Sequence, residues 1–84
     1  MSYSIAFSQE AASDIDFLSK ADRRLFERII NKIESLQENP RAGKPLAGNH
    51  KGEFSLRVGA YRIVYEISVH NIYILTIKHR RHVY

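Results

Sequence analysis

Tyr3-Ser-Ile-Ala-Phe7 alternates apolar and polar positions with period two and stops at Ser8, which predicts a short strand. Ser8 is then placed to cap a helix. Gln9-Glu10 puts an acid in its first turn, and Ala11, Ile15 and Leu18 recur on one face at helical spacing, so a first helix is expected to run to about Ser19. Asp22 opens a second helix in which Leu25, Phe26, Ile29, Ile30, Ile33 and Leu36 form a continuous apolar stripe. Only a few residues around Lys20-Ala21 join the two, so they should pack as an antiparallel hairpin. Asn39-Pro40 ends the second helix, because the residue before proline is pushed out of the α region.

Residues 39–52 hold both prolines and three of the four glycines, with Arg41, Lys44, His50 and Lys51 interspersed, and read as a basic loop inside one domain. Three strand-like runs follow: Glu53 to Val58, Tyr61 to Ser68 and Ile72 to Lys78. Gly59-Ala60 fits a two-residue hairpin loop with glycine first, which predicts the pairs Val58 with Tyr61, Arg57 with Arg62, Leu56 with Ile63, Ser55 with Val64 and Phe54 with Tyr65. One face of that hairpin is Phe54, Leu56, Val58, Tyr61, Ile63 and Tyr65, and must cover the helices. The other sets Arg57 against Arg62. The expected fold is α+β: strand, helix, helix, then a three-stranded antiparallel meander, with the helical hairpin on one face of a small sheet and the other face open.

Composition narrows the setting. Eighty-four residues and 9.8 kDa predict one domain spanning 1–84, and 44% hydrophobic residues suffice for one small core. The absence of cysteine excludes disulfides, thiolate metal sites and cysteine nucleophiles, and suits the reducing cytoplasm. No apolar run has membrane-helix length and no signal-peptide pattern precedes the first strand, so neither membrane nor secretion is expected. The formal charge of +4 hides an asymmetry: residues 1–38 carry seven acids and five bases, a balance of −2, whereas residues 39–84 carry two acids and eight bases, a balance of +6. All four histidines also lie in the second part, which is built to meet a polyanion.

Arg57 opposite Arg62 is a destabilising cross-strand pair that asks for an anion. Glu66, four residues from Arg62 along an extended strand and so roughly 13 Å away, is too far to supply one. An even-numbered loop near Val69 to Asn71 is expected to bring His79 onto the face of Arg62, ahead of the basic run Arg80-Arg81-His82. Arginine grips phosphate at two points and histidine moves protons, the two requirements for cleaving RNA through its 2′-hydroxyl. No Gly-rich phosphate loop, metal-ligand spacing or Ser-His-Asp pattern is present, so no metal or other cofactor is expected.

Three segments in series, residues 39–48 (NPRAGKPLAG), 54–65 (FSLRVGAYRIVY) and 79–84 (HRRHVY), resemble the RelE branch of the RelE/ParE toxin superfamily, and the resemblance covers nearly the whole chain. It implies a RelE-like fold and a type II toxin that cuts mRNA on the ribosome, blocks translation and is silenced by an acidic cognate antitoxin. It also implies that Arg62, one of Arg80 or Arg81, and Tyr84 act on the scissile phosphate. The basic loop and open face add His79 as a further catalytic candidate, and Arg41, Lys44, Lys51 and Arg57 as residues expected to hold the RNA. Glu53 and Ser55 stand where relatives carry lysines, which leaves His79, His82, Tyr84 and Lys51 as candidates for the proton acceptor. Two other readings stay open: a ParE-like poison of DNA gyrase, and an RNA-binding module without catalysis.

Overall fold

A computed structural model describes residues 3–46, 48 and 52–82, with the side chain of residue 82 outside the description. The first strand, β1 (Ser4–Phe7), stops at Ser8, whose hydroxyl accepts the Ala11 N–H at 2.9 Å and so caps helix α1 (Gln9–Ala21). Asp22 closes α1 and caps α2 (Arg23–Ser35), accepting the Leu25 N–H at 3.1 Å. With one residue serving both ends, α1 runs two residues beyond the expected Ser19. The helix in α2 stops at Ser35, before Asn39-Pro40, and the chain continues through turns in which Leu36 is still buried.

Five strands form one sheet in the order β1-β5-β4-β3-β2, with β2 (Lys44–Pro45), β3 (Glu53–Val58), β4 (Tyr61–Ile67) and β5 (Asn71–His79). The meander β3-β4-β5 is antiparallel, and β1 lies parallel to the first half of β5. The short β2 pairs Lys44 with Ser55 and Pro45 with Phe54, inside the stretch read from sequence as loop.

The β3-β4 hairpin has the expected register, from Val58 opposite Tyr61 to Phe54 opposite Tyr65. Gly59 takes φ +59° and no residue other than glycine has positive φ among those described, so the turn is type II′, whose twist suits the strands it joins. Leu56, Val58, Ile63 and Tyr65 are buried against Ile29, Ile33 and Leu36 of the α2 stripe and Leu18 of α1, with Phe54 and Tyr61 packed partly against them. Each such side chain contributes about 1.5–3 kcal/mol by leaving water, which holds the helices to this face.

The β4-β5 pairing departs from expectation. Four residues, Ser68 to Asn71, lie between the partners Ile67 and Ile72, the even count anticipated. Tyr65 then faces Ile74 while Val64 faces Thr76, so Leu75 is an extra residue in a β-bulge. Beyond it every side chain of β5 changes face: Lys78 stands opposite Arg62, and His79 opposite Tyr61 on the helix side. The expected grouping of His79 with Arg62 is therefore corrected.

Candidate functional site: a basic cleft on the open sheet face

Because the two-residue turn makes Val58 and Tyr61 a hydrogen-bonded pair, Arg57 and Arg62 occupy the next, non-hydrogen-bonded position, where opposing Cα atoms approach to about 4.5 Å. Their side chains leave the sheet on the open face. Lys44, opposite Ser55 on β2, adds a third cation to that face, and Lys44, Ser55, Arg57 and Arg62 line a cleft of about 340 Å³ with Ala42 and Gly43 on its wall. No carboxylate is among the described lining residues. Glu53 and Glu66 face each other at the far end of the same hairpin, so charge is segregated along it.

Tyr65 anchors the segment that delivers Lys44. Its ring is buried and stacks on Phe54, with ring centres 5.6 Å apart, while its hydroxyl donates to the Pro40 carbonyl at 2.8 Å and accepts the Gly43 N–H at 2.9 Å. Burial pushes the Tyr65 phenol above its usual pKa, a shift the Gly43 hydrogen bond partly offsets. A Cβ on Gly43 would lie 2.6 Å from the Ser55 carbonyl oxygen and 2.7 Å from the Tyr65 hydroxyl, so only glycine allows this approach.

The other expected site residues divide. Arg80 donates its N–H to the Ala60 carbonyl at 2.8 Å, folding the 3-10 turn Arg80–His82 against the hairpin loop and leaving Arg80 and Arg81 exposed beside it. His79 meets the Tyr61 ring edge-on at 5.5 Å, and its Nδ1 accepts the Arg81 N–H at 3.3 Å, so it braces the turn from the helix side. The Arg41 guanidinium lies 5.8 Å from the centre of the Phe54 ring, a residue of the helix-side set, and is turned away from Arg62. Lys51 and Tyr84 lie outside the described residues.

One contributor was missed in the sequence. Asp14 Oδ1 is 2.7 Å from Lys78 Nζ and its Oδ2 accepts the Ile77 N–H at 3.0 Å, with Glu10 3.2 Å from the same ammonium. The hydrogen bond to Asp14 and the field of both acids raise the Lys78 pKa, against a smaller opposing effect of burial. Lys78 is thus drawn round the sheet edge, although its Cα stands opposite Arg62. The available signal was the acid pair Glu10 and Asp14 at i, i+4, unrelieved by a base within reach on their own helix and flanking an apolar stripe.

Residues 5–84 match the family model described as the ParE toxin of the type II toxin-antitoxin system parDE. Toxin RelG of Mycobacterium tuberculosis is 33% identical over 88 residues, covering all of this chain and 98% of that protein. The toxin-antitoxin complex RelBE2 of the same organism contains a chain 31% identical, with a TM-score of 0.82 over 95% of this chain and 100% of that one. A YoeB dimer from Staphylococcus aureus contains a chain 25% identical, with a TM-score of 0.81 over 93% of this chain and 97% of that one. A ParE-type family model and a RelE-type relative thus both match this sequence nearly end to end, and the chain belongs to the RelE/ParE superfamily of type II toxin-antitoxin toxins.

Proposed function

We propose that this toxin is an endoribonuclease that cuts mRNA on the ribosome, in the cytoplasm, and so blocks translation. The observation that carries the reading is the Arg57/Arg62 pair over a cleft that Lys44 also lines and no described carboxylate enters. A phosphodiester supplies the negative charge this arrangement attracts, and the charge grows on the phosphoryl oxygens as the reaction proceeds, so fixed guanidiniums stabilise the transition state more than the ground state.

In the reaction the RNA 2′-oxygen attacks the adjacent phosphorus, the bond from phosphorus to the 5′-oxygen breaks, and a 2′,3′-cyclic phosphate remains. Arg62 and Arg80 or Arg81 stabilise the developing charge, Arg57, Lys44 and Lys51 hold neighbouring phosphates, and Arg41, on the Phe54 side of β3, holds one further along the RNA. Tyr84 stacks on a base or takes the 2′-proton. His79 acts through the position of the Arg80–His82 turn. The cognate antitoxin presents an acidic segment that covers the Arg57/Arg62 face.

Single-turnover cleavage of mRNA on programmed ribosomes tests the reading. Arg62→Ala should slow the bound-state step by roughly 100-fold or more, the loss seen on removing one donor to a developing oxyanion. A large loss with Tyr84→Phe assigns proton transfer to its hydroxyl, a small one stacking.

The ParE family match supports a second reading, poisoning of DNA gyrase. Pulse labelling separates the two: protein synthesis falls first under the ribonuclease reading, DNA synthesis first under the gyrase reading. Ribosome binding by the wild type without cleavage leaves an RNA-binding module.

A further inference from the structure

A second concave surface lies across the free edge of β3 from the cleft. It is a groove of about 400 Å³ between α2 and the hairpin turn, lined by Arg28, Asn31, Lys32 and Ser35 of α2 and by Arg57 to Gly59. Arg57 lines both this groove and the cleft, so the two are continuous round the strand edge. We propose that this groove is a second phosphate-binding site, which holds the backbone of single-stranded RNA as it leaves the cleft. The inference rests on the ribonuclease reading and extends it to residues in the acidic half of the sequence.

Three features of the groove support a polyanion. Arg28 and Lys32 are like charges at i, i+4, an arrangement unfavourable to the isolated helix. The nearest acid on that helix, Glu27, is turned to Arg23 at 3.4 Å. Every charged side chain among the described lining residues is cationic, and Asn31 and Ser35 add neutral polar groups.

The strand edge contributes as well. β2 pairs with β3 only at Phe54 and Ser55, and the alternation that turns the Glu53 carbonyl outward, toward the Leu46 N–H, also turns the Arg57 N–H outward. A chain crossing the edge therefore meets a backbone donor between the guanidinium of Arg57 and those of α2. Val58 is the single apolar side chain among the described lining residues and is itself buried. A peptide would find no pocket in which to bury an anchor residue, whereas a phosphate backbone needs only charge and donors.

The test compares the wild type with R28A/K32A, and with R28Q/K32Q as a charge-removing pair of higher helix propensity than most alternatives. The probes are non-cleavable 2′-O-methyl RNAs of about three and about ten nucleotides, chosen to fill the cleft alone or the cleft and groove, with binding followed by fluorescence anisotropy across a salt series. The double variants should bind the longer RNA roughly tenfold more weakly, with a slope of log affinity against log salt reduced by about 1.4, the contribution of two single-strand phosphates. Binding of the short RNA and the rate of cleavage of ribosome-bound mRNA should stay unchanged.

Equal affinity of wild type and variants for the longer RNA overturns the inference, as does an equal loss for both lengths. Loss of binding to an oligoglutamate peptide with RNA binding intact assigns the groove to a protein partner and overturns it too. Failure of the wild type to cleave on programmed ribosomes is a separate result: it removes the ribonuclease reading, while the length comparison still judges the groove.

Discussion

Asp14 grips Lys78 at 2.7 Å although the strand register sets Lys78 opposite Arg62, on the face turned away from the helices. The second oxygen of the same carboxylate accepts the Ile77 N–H, so one side chain closes the part of β5 that has α1 rather than a strand beside it. Asp14→Ala leaves that N–H without its acceptor and should lower stability by about 1–3 kcal/mol in urea titrations. An unchanged midpoint would mean that solvent replaces the carboxylate fully. Contact with Asp14 and Glu10 raises the Lys78 pKa, so its contribution is complete below the unfolded-state value near 10.4 and is lost as pH rises through the higher folded-state value. Alkaline destabilisation above about pH 10.4 should therefore be shallower in Asp14→Ala than in the wild type.

Tyr65→Phe keeps the stack on Phe54 and removes the hydroxyl that joins Pro40 to Gly43. Two backbone groups lose a partner, and the expected cost is about 1–3 kcal/mol. Because burial raises the Tyr65 pKa, its contribution too is full below the unfolded-state value near 10 and declines as pH climbs toward the folded-state value. The substitution should remove that part of the alkaline decline, measured as the urea midpoint at pH 8 to 11. A parallel decline in both proteins would show that Tyr65 does not contribute to it.

Gly43→Ala places a methyl group 2.6 Å from the Ser55 carbonyl oxygen, on backbone that cannot rotate aside. The expected destabilisation is about 1–3 kcal/mol, with the segment around Lys44 displaced from β3. Amide exchange at position 43 and at Leu46 should quicken more than exchange in α2. Equal quickening in both would indicate general loosening instead.

Arg57→Ala relieves the cross-strand repulsion with Arg62, so it should hold or slightly raise stability, by about 0.2–1 kcal/mol in urea titrations. Arg57→Ala and Arg62→Ala also separate binding from chemistry. Their effects on cleavage should differ. Under the proposed function Arg62→Ala lowers the bound-state rate, whereas Arg57→Ala mainly weakens binding and reduces its salt dependence. Identical kinetic profiles for the two variants would contradict this division.

The residues differ in how openly they announce their places. Gly59-Ala60 admits one tight turn, and from it the pairing of five residues on each strand follows, including Arg57 against Arg62. The α2 stripe is equally plain, since Ile29, Ile33 and Leu36 recur at spacings only a helix brings together. The bulge at Leu75 was hidden because Ile72 to Ile77 is almost continuously apolar and carries no alternation to break. That one residue decides which face receives Lys78 and which receives His79. β2 was hidden by its composition, a lysine and a proline amid residues typical of turns, and it forms because Tyr65 ties Gly43 down beside β3. Arg28 and Lys32 lay in the half with negative charge balance, where a sum over sequence conceals a local basic surface made by folding.

Ser8 also donates its hydroxyl to the Leu75 carbonyl at 2.7 Å, joining positions 67 residues apart. During synthesis β1 emerges early yet has no strand to lie against until residues 71–74 follow. The sheet is thus fastened at its latest-arriving part, and closing so long a loop costs chain entropy that is recovered only once the sheet is complete. A nascent chain stalled before β5 would expose both the Arg62 edge of β4 and the unpartnered β1, leaving it to chaperones or proteases rather than to a working toxin.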